Sequence, residues 1–192
     1  AVYAYDRDNN RGKFKFHSEL IAEDGTKIRF TVFQPAMPIK TRRPLIIHAH
    51  GFALSCMEGR IGLYGSYLLA GQAAIEAWDR GYYVISIDQR GHGASGGKIA
   101  MIDPEKEAKD ISLLIDWADK HLYLARQNGD PRVGMIGESY GGAVQLMASV
   151  IDPRIDAIVP ITTWYDLNEA LLPNGVAKSN WLLLLGTAEG VR

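Results

Sequence analysis

The strongest constraint in this sequence is an alternation. Short apolar runs of the buried-strand type, Leu45-Ile46-Ile47, Tyr82 to Ile87, Arg132 to Ile136 and Ile155 to Ile161, are interleaved with segments of helical length and spacing. Leu68 to Trp78 reads as one helix, stopping before Gly81, and Ala143 to Ile151 as another, stopping before Pro153. Between them, Asp103-Pro104-Glu105 predicts an N-cap, a proline in the first helical position and an early acid. An apolar stripe of Ala108, Ile111, Leu114, Ile115, Ala118 and Leu122 follows. Parallel strands are joined by crossover helices, so this alternation predicts a mostly parallel sheet with helices on both faces.

An antiparallel hairpin opens the chain. Phe14 and Phe16 lead an extended run to Glu23, Asp24-Gly25 reads as a tight turn, and Ile28, Phe30 and Val32 then alternate with Lys27, Arg29 and Thr31. Pro35, Pro38 and Pro44 close it. The expected class is therefore α/β, and in such sheets ligands bind beyond the carboxyl ends of the strands.

The strand-end loops carry the chemistry. The Arg132 run ends in Gly137-Glu138-Ser139-Tyr140-Gly141-Gly142, a G-x-S-x-G pattern between a strand and a helix. A serine there sits on a sharp turn with its hydroxyl exposed, and the glycines allow close approach of the flanking elements. Ser139 is the candidate nucleophile. A helix starting beside it offers backbone N–H groups to a developing oxyanion. His48-Ala49-His50-Gly51-Phe52 ends the first buried run, placing the backbone N–H of Phe52 opposite that of Tyr140 as the two oxyanion donors. His48 and His50 read as hydrogen-bonding struts against the loop, because a His-x-His pair without a third ligand does not make a catalytic zinc site.

Asp88-Gln89-Arg90-Gly91-His92-Gly93-Ala94-Ser95-Gly96-Gly97 follows the Tyr82 run. Here Asp88 and Arg90 are expected to pair and brace the loop. His92 as a base would give an odd chain order, and no G-K-S/T follows to make a phosphate cradle.

Composition narrows the partners. With 21 basic against 22 acidic residues and a net charge of −1, the chain has neither a nucleic-acid footprint nor a polybasic membrane anchor. No apolar run approaches the length of a membrane span. The one cysteine, Cys56, forms no internal disulfide and leaves the compartment open, cytoplasmic by default. Neither a metal nor an organic cofactor is expected. A first residue other than Met points to a processed or trimmed start.

Taken in order, H-G-F, D-x-R-G-H-G-x-S and G-x-S-x-G-G resemble the α/β-hydrolase superfamily, from about Phe14 to Asp166. Ile158 to Leu167, ending in Trp-Tyr-Asp-Leu, resembles the X-Pro dipeptidyl-peptidase and cocaine-esterase-like acyl hydrolases. The resemblance implies the N-terminal part of an α/β-hydrolase core over residues 1–166 and the start of a helical cap over 167–192. It also implies a serine hydrolase acting on a small ester, an amide or a short peptide through an acyl-enzyme.

A hydrolase of this type needs an acid and then a histidine after its serine. The five histidines, at 17, 48, 50, 92 and 121, all precede Ser139. Asp166 follows a strand end, but the resemblance places the acid one strand later. The expectation is thus an N-terminal fragment of a longer enzyme, cut inside its cap, whose C-terminal half supplies the base. X-Pro specificity would need an acid in the cap for the substrate ammonium, and only Glu169 and Glu189 are available. The competing expectation is a non-catalytic binding or scaffold module on the same fold.

Overall fold

The computed structural model describes residues 12–36, 41–58 and 68–190. Pro38, Ala1 and Arg192 lie outside them. The chain runs through β1 (Phe14–Ile21), β2 (Lys27–Gln34), β3 (Leu45–Ala49), α1 (Leu69–Asp79), β4 (Tyr83–Ile87) and α2 (Glu107–His121). It continues through β5 (Arg126–Gln127), β6 (Asp130–Pro131), β7 (Val133–Glu138), α3 (Tyr140–Ile151), β8 (Ile155–Ile161), α4 (Leu167–Leu171), a 3-10 turn (Pro173–Gly175) and α5 (Ser179–Gly190).

Among the described residues six strands form one sheet in the order β1-β2-β4-β3-β7-β8. The opening hairpin is antiparallel and joins β4 antiparallel, whereas β4, β3, β7 and β8 are parallel neighbours. This is the mostly parallel sheet with an N-terminal hairpin that the sequence predicts. The small β5–β6 pair, two residues to a strand, is too short to show any periodicity and was not expected.

Alternation within the strands divides the core. Ile28, Phe30, Val32, Ile47, Ile85 and Met135 face α2 and α3, burying the stripe of Ala108, Ile111, Leu114 and Ala118. The opposite face packs Phe33, Val84 and Ile136 against Ala70, Ala74 and Trp78 of α1. A fully buried aliphatic side chain is worth about 2 kcal/mol, so these two layers supply the main driving force.

Two helix boundaries depart from expectation. The second helix begins at Glu107 rather than beside Asp103: Asp103 Oδ1 accepts from the Glu105 N–H at 2.8 Å, capping a separate turn that precedes the helix. The third begins at Tyr140, beside Ser139 as the G-x-S-x-G reading expects but three residues before the Ala143 start of the helical segment, because the two glycines at 141 and 142 are helical here. They are packing glycines. A Cβ on Gly141 would stand 2.0 Å from the Ala49 carbonyl oxygen, one on Gly137 would stand 2.4 Å from the same atom, and one on Gly142 would meet Thr163 Cβ at 2.7 Å. The register sets Ala49 beside both Ile87 and Gly137, so the loops after β3, β4 and β7 leave the sheet at one level.

Two stability tests follow from this packing. Gly141→Ala drives a methyl into a backbone carbonyl that cannot rotate away, and the expected loss is about 3 kcal/mol, read as a lower urea midpoint. His48 is buried, its Nδ1 2.8 Å from Ser86 Oγ, and burial holds its pKa down at about 4. Below the ordinary value of about 6.5 the unfolded chain therefore binds a proton that the folded chain refuses, so this contribution is complete above pH 6.5 and is lost as pH falls toward 4. Between pH 7.5 and 4.5 the loss amounts to about 2.5 kcal/mol. Urea titrations of His48→Gln should show a pH dependence weaker than wild type by about that amount; an unchanged slope would contradict the burial effect.

Candidate active site

Ser139 is the residue on which β7 becomes α3. Its backbone takes φ 53 and ψ −116, outside the regions open to most L-residues, which is how the chain reverses within one residue. Neighbouring groups tie the turn down. Ser139 N–H donates to the Ile161 carbonyl at 2.9 Å, and its own carbonyl accepts from Thr163 Oγ1 at 2.8 Å and from the Gly142 and Ala143 N–H groups. Its hydroxyl, half-buried, makes no hydrogen bond among the described residues.

The β3 loop reaches this turn directly. A Cβ on Gly51 would lie 3.8 Å from that of Ser139, and the Phe52 and Tyr140 rings stand 5.8 Å apart. Ser139, Tyr140 and Phe52, the three residues singled out from the sequence, line one cavity of about 550 Å³. Its remaining wall is largely apolar, with Trp164 and Leu171 on one side and Trp181, Leu182 and Leu185 of α5 on the other. Of the four consecutive leucines of α5, Leu182 and Leu185 line the cavity, while Leu183 and Leu184 do not and are the more exposed. Among the described lining residues Lys178 is the one charged side chain, and neither an aspartate nor a glutamate is present.

Met101, Thr162, Thr163 and Lys178 were not anticipated. Thr162 and Thr163 directly follow the carboxyl end of β8 and were within reach of the rule that ligands sit at carboxyl strand ends. Nothing in the local pattern marks Met101.

The surrounding loops are held by buried polar groups. His50 Nε2 accepts from the Gln89 N–H at 3.1 Å while Nδ1–H donates to the Gly51 carbonyl at 2.7 Å, which sets a neutral ring and braces two loops, as expected of a strut. Among the described residues His48 reaches the loop through Ser86, whose hydroxyl also accepts from the Met57 N–H. His92 is buried with Nδ1 3.0 Å from the Arg90 carbonyl oxygen, its ring 5.4 Å from that of Tyr140 and 4.9 Å from that of His50. No described histidine hydrogen-bonds to Ser139.

The expected Asp88–Arg90 pair does not form. Asp88 instead accepts from the Cys56 N–H at 2.6 Å and the Ala94 N–H at 2.9 Å, and a Cβ on Gly93 would fall 2.2 Å from its Oδ1. Arg90 points the other way, donating twice to Asp110 at 3.0 and 2.8 Å and once to Asp24. These hydrogen bonds hold the Asp24 carboxyl at about 2, below its ordinary range, and hold the guanidinium protonated. The two side chains diverge because each faces a different partner across the loop. Glu138, beside Ser139, takes a hydrogen bond from the Ala70 N–H at the start of α1, while burial pushes its carboxyl up.

Known proteins share this architecture. The α/β hydrolase GrgF of Penicillium sp. sh18 superposes with a TM-score of 0.63 at 21% identity, over 80% of this chain and 47% of that one. The acetyl xylan esterase of Paenibacillus sp. R4 does so with a TM-score of 0.65 at 17% identity, over 95% and 60%. At such identities the likeness shows the fold, which is that of the α/β hydrolases. A 31.7 kDa Escherichia coli protein of the traX-finO intergenic region is 31% identical over 118 residues, 62% of this chain and 36% of that protein. The chain thus spans little more than a third of that relative. The family match to the X-Pro dipeptidyl-peptidases (S15 family) covers residues 24–189, from the hairpin turn to the last helix and through every loop around the cavity. On that extent of agreement, the chain belongs to the S15 family.

Proposed function

We propose that these residues form the nucleophile-bearing part of a serine hydrolase that cleaves a carboxylic ester or amide through an acyl-enzyme. Ser139 attacks the carbonyl carbon, and the backbone N–H groups of Tyr140 and Phe52 hold the oxyanion. The observation carrying this reading is the left-handed backbone of Ser139 at a strand-to-helix turn, with its half-buried hydroxyl on an apolar cavity. A bulky-side-chain-free approach of three elements, maintained by glycines against backbone oxygens, supports the same assignment.

In this reading residues 1–166 are the N-terminal part of the catalytic core, and 167–192 begin a cap whose α5 faces the nucleophile. The base is a histidine supplied from outside these 192 residues, together with its acid. It removes the Ser139 proton during attack and returns it to the leaving alcohol or amine; a water then repeats the sequence on the acyl-enzyme. The lining favours a neutral acyl group over a dipeptide with a free ammonium. Lys178 would repel that ammonium, and no described acid lines the wall to hold it.

Turnover of p-nitrophenyl acetate and butyrate tests the proposal. The chain alone is expected to match its Ser139→Ala variant, because loss of a triad base removes several orders of magnitude of rate. A longer protein containing the downstream half is expected to turn over both esters and to be labelled at Ser139 by a fluorophosphonate. Absence of labelling in the longer protein would favour a binding or scaffold module. Ser139-dependent turnover by the chain alone would place the base within it and overturn the assignment of an external histidine.

A further inference from the structure

Glu107, the first residue of α2, is buried and accepts three hydrogen bonds from outside its own helix. Oε1 accepts from the Ala100 N–H at 2.5 Å and from the Tyr140 hydroxyl at 3.1 Å, and Oε2 accepts from the Asp103 N–H at 3.1 Å. Between the two clamped amides lie Met101 and Ile102, with φ 56 and 67. Consecutive left-handed residues, one of them β-branched, are costly for L-amino acids and persist only where the surroundings hold them.

The clamp has a directional consequence. Ile102 packs onto the main core, whereas Met101 is turned outward, 50% exposed, onto the wall of the cavity that holds Ser139. The same carboxylate grips Tyr140, the residue next to Ser139, so the Met101 wall and the nucleophile turn are held in one register. A methionine is suited to such a wall, being apolar, unbranched and polarizable.

We propose that Met101 is a specificity-determining residue that limits the length of the acyl group, and that Glu107 is the positioning residue that sets it there. This rests on the reading of the cavity as the acyl site. It does not depend on which group removes the Ser139 proton.

Binding of 4-nitrophenyl butyl and octyl ethers tests it without turnover. Trp164 and Trp181 line the cavity, so the nitroaryl group reports occupancy by quenching tryptophan emission. Met101→Ala is expected to shift the ratio of dissociation constants toward the octyl ether by about tenfold. Glu107→Ala should produce a similar shift, Glu107→Gln a smaller one through its remaining carbonyl oxygen, and adding either to Met101→Ala should move the ratio no further. Far-UV circular dichroism checks folding; if Glu107→Ala does not fold, Glu107→Gln carries the cycle. A ratio unchanged within about twofold in Met101→Ala, or fully additive shifts in the double variant, would overturn the proposal, as would failure of wild type to bind either ether. A failure of the nucleophile assignment would appear separately, as absent fluorophosphonate labelling of Ser139 in the longer protein, a readout that the ether measurements do not involve.

Discussion

Contact between the first turn of α3 and the end of β3 is the constraint around which this part of the molecule is arranged. The Ala49 carbonyl oxygen occupies the space that side chains on Gly137 and Gly141 would need. With no Cβ at either position the helix can start immediately beside the strand, and Ser139 must reverse the chain in one residue. The cost of its left-handed conformation, on the order of 1–3 kcal/mol, is offset by hydrogen bonds to Ile161 and Thr163 on the neighbouring strand end and by burial of Tyr140. Strain at one residue is thus stabilised by packing contributed from β3, β8 and α2.

The loops that meet this turn are held by buried polar side chains, four of which make three or more hydrogen bonds each. Asp88, Arg90, Glu107 and Gln145 are all buried, and each bridges segments far apart in the chain. Gln145, for example, donates to the Gly137 and Gly141 carbonyls and accepts from the Val159 N–H, locking β7, α3 and β8 together. Such networks add little net stability compared with apolar replacements of equal volume, but removing one partner leaves a buried donor or acceptor without its mate and costs several kcal/mol. What they contribute is a unique arrangement of loops, the property a reaction site requires.

This division explains what was legible in the sequence. Strands and helices whose partners are solvent and core follow local periodicity, and β4 and β8 fall within a residue of where apolar spacing puts them. The G-x-S-x-G turn was equally readable because its residue types and spacing lie within six consecutive residues, although the groups that exclude a Cβ there, Ala49 and Thr163, are distant in the chain. Arg90 was not. Its partners, Asp110 and Asp24, lie 20 and 66 residues away, and only the folded sheet brings them together. Glu107 escaped for a similar reason. An acid in the first turn of a helix ordinarily reads as a response to the helix dipole, and nothing local tells that its carboxylate turns back to grip the preceding loop and Tyr140.

If Ser139 is the nucleophile that we propose, its surroundings also limit where a base can come from. Gly51 and its loop close one side, Thr163 holds the carbonyl on another, and the buried Tyr140 side chain with Glu107 fills the space behind. His92, the histidine packed against Tyr140, presents Nδ1 to the Arg90 carbonyl and sits with its ring edge among Phe52 and His50, a geometry that anchors the loop. The hydroxyl is left facing the cavity. Beside it β8 ends as an edge of the sheet, with Val159 half exposed and no further strand among the described residues. On the proposed reading, a histidine loop carried by strands added beyond that edge would reach the hydroxyl from the open side without displacing any group that positions it. The apolar lining would then strengthen the hydrogen bonds to the oxyanion by keeping water away from them.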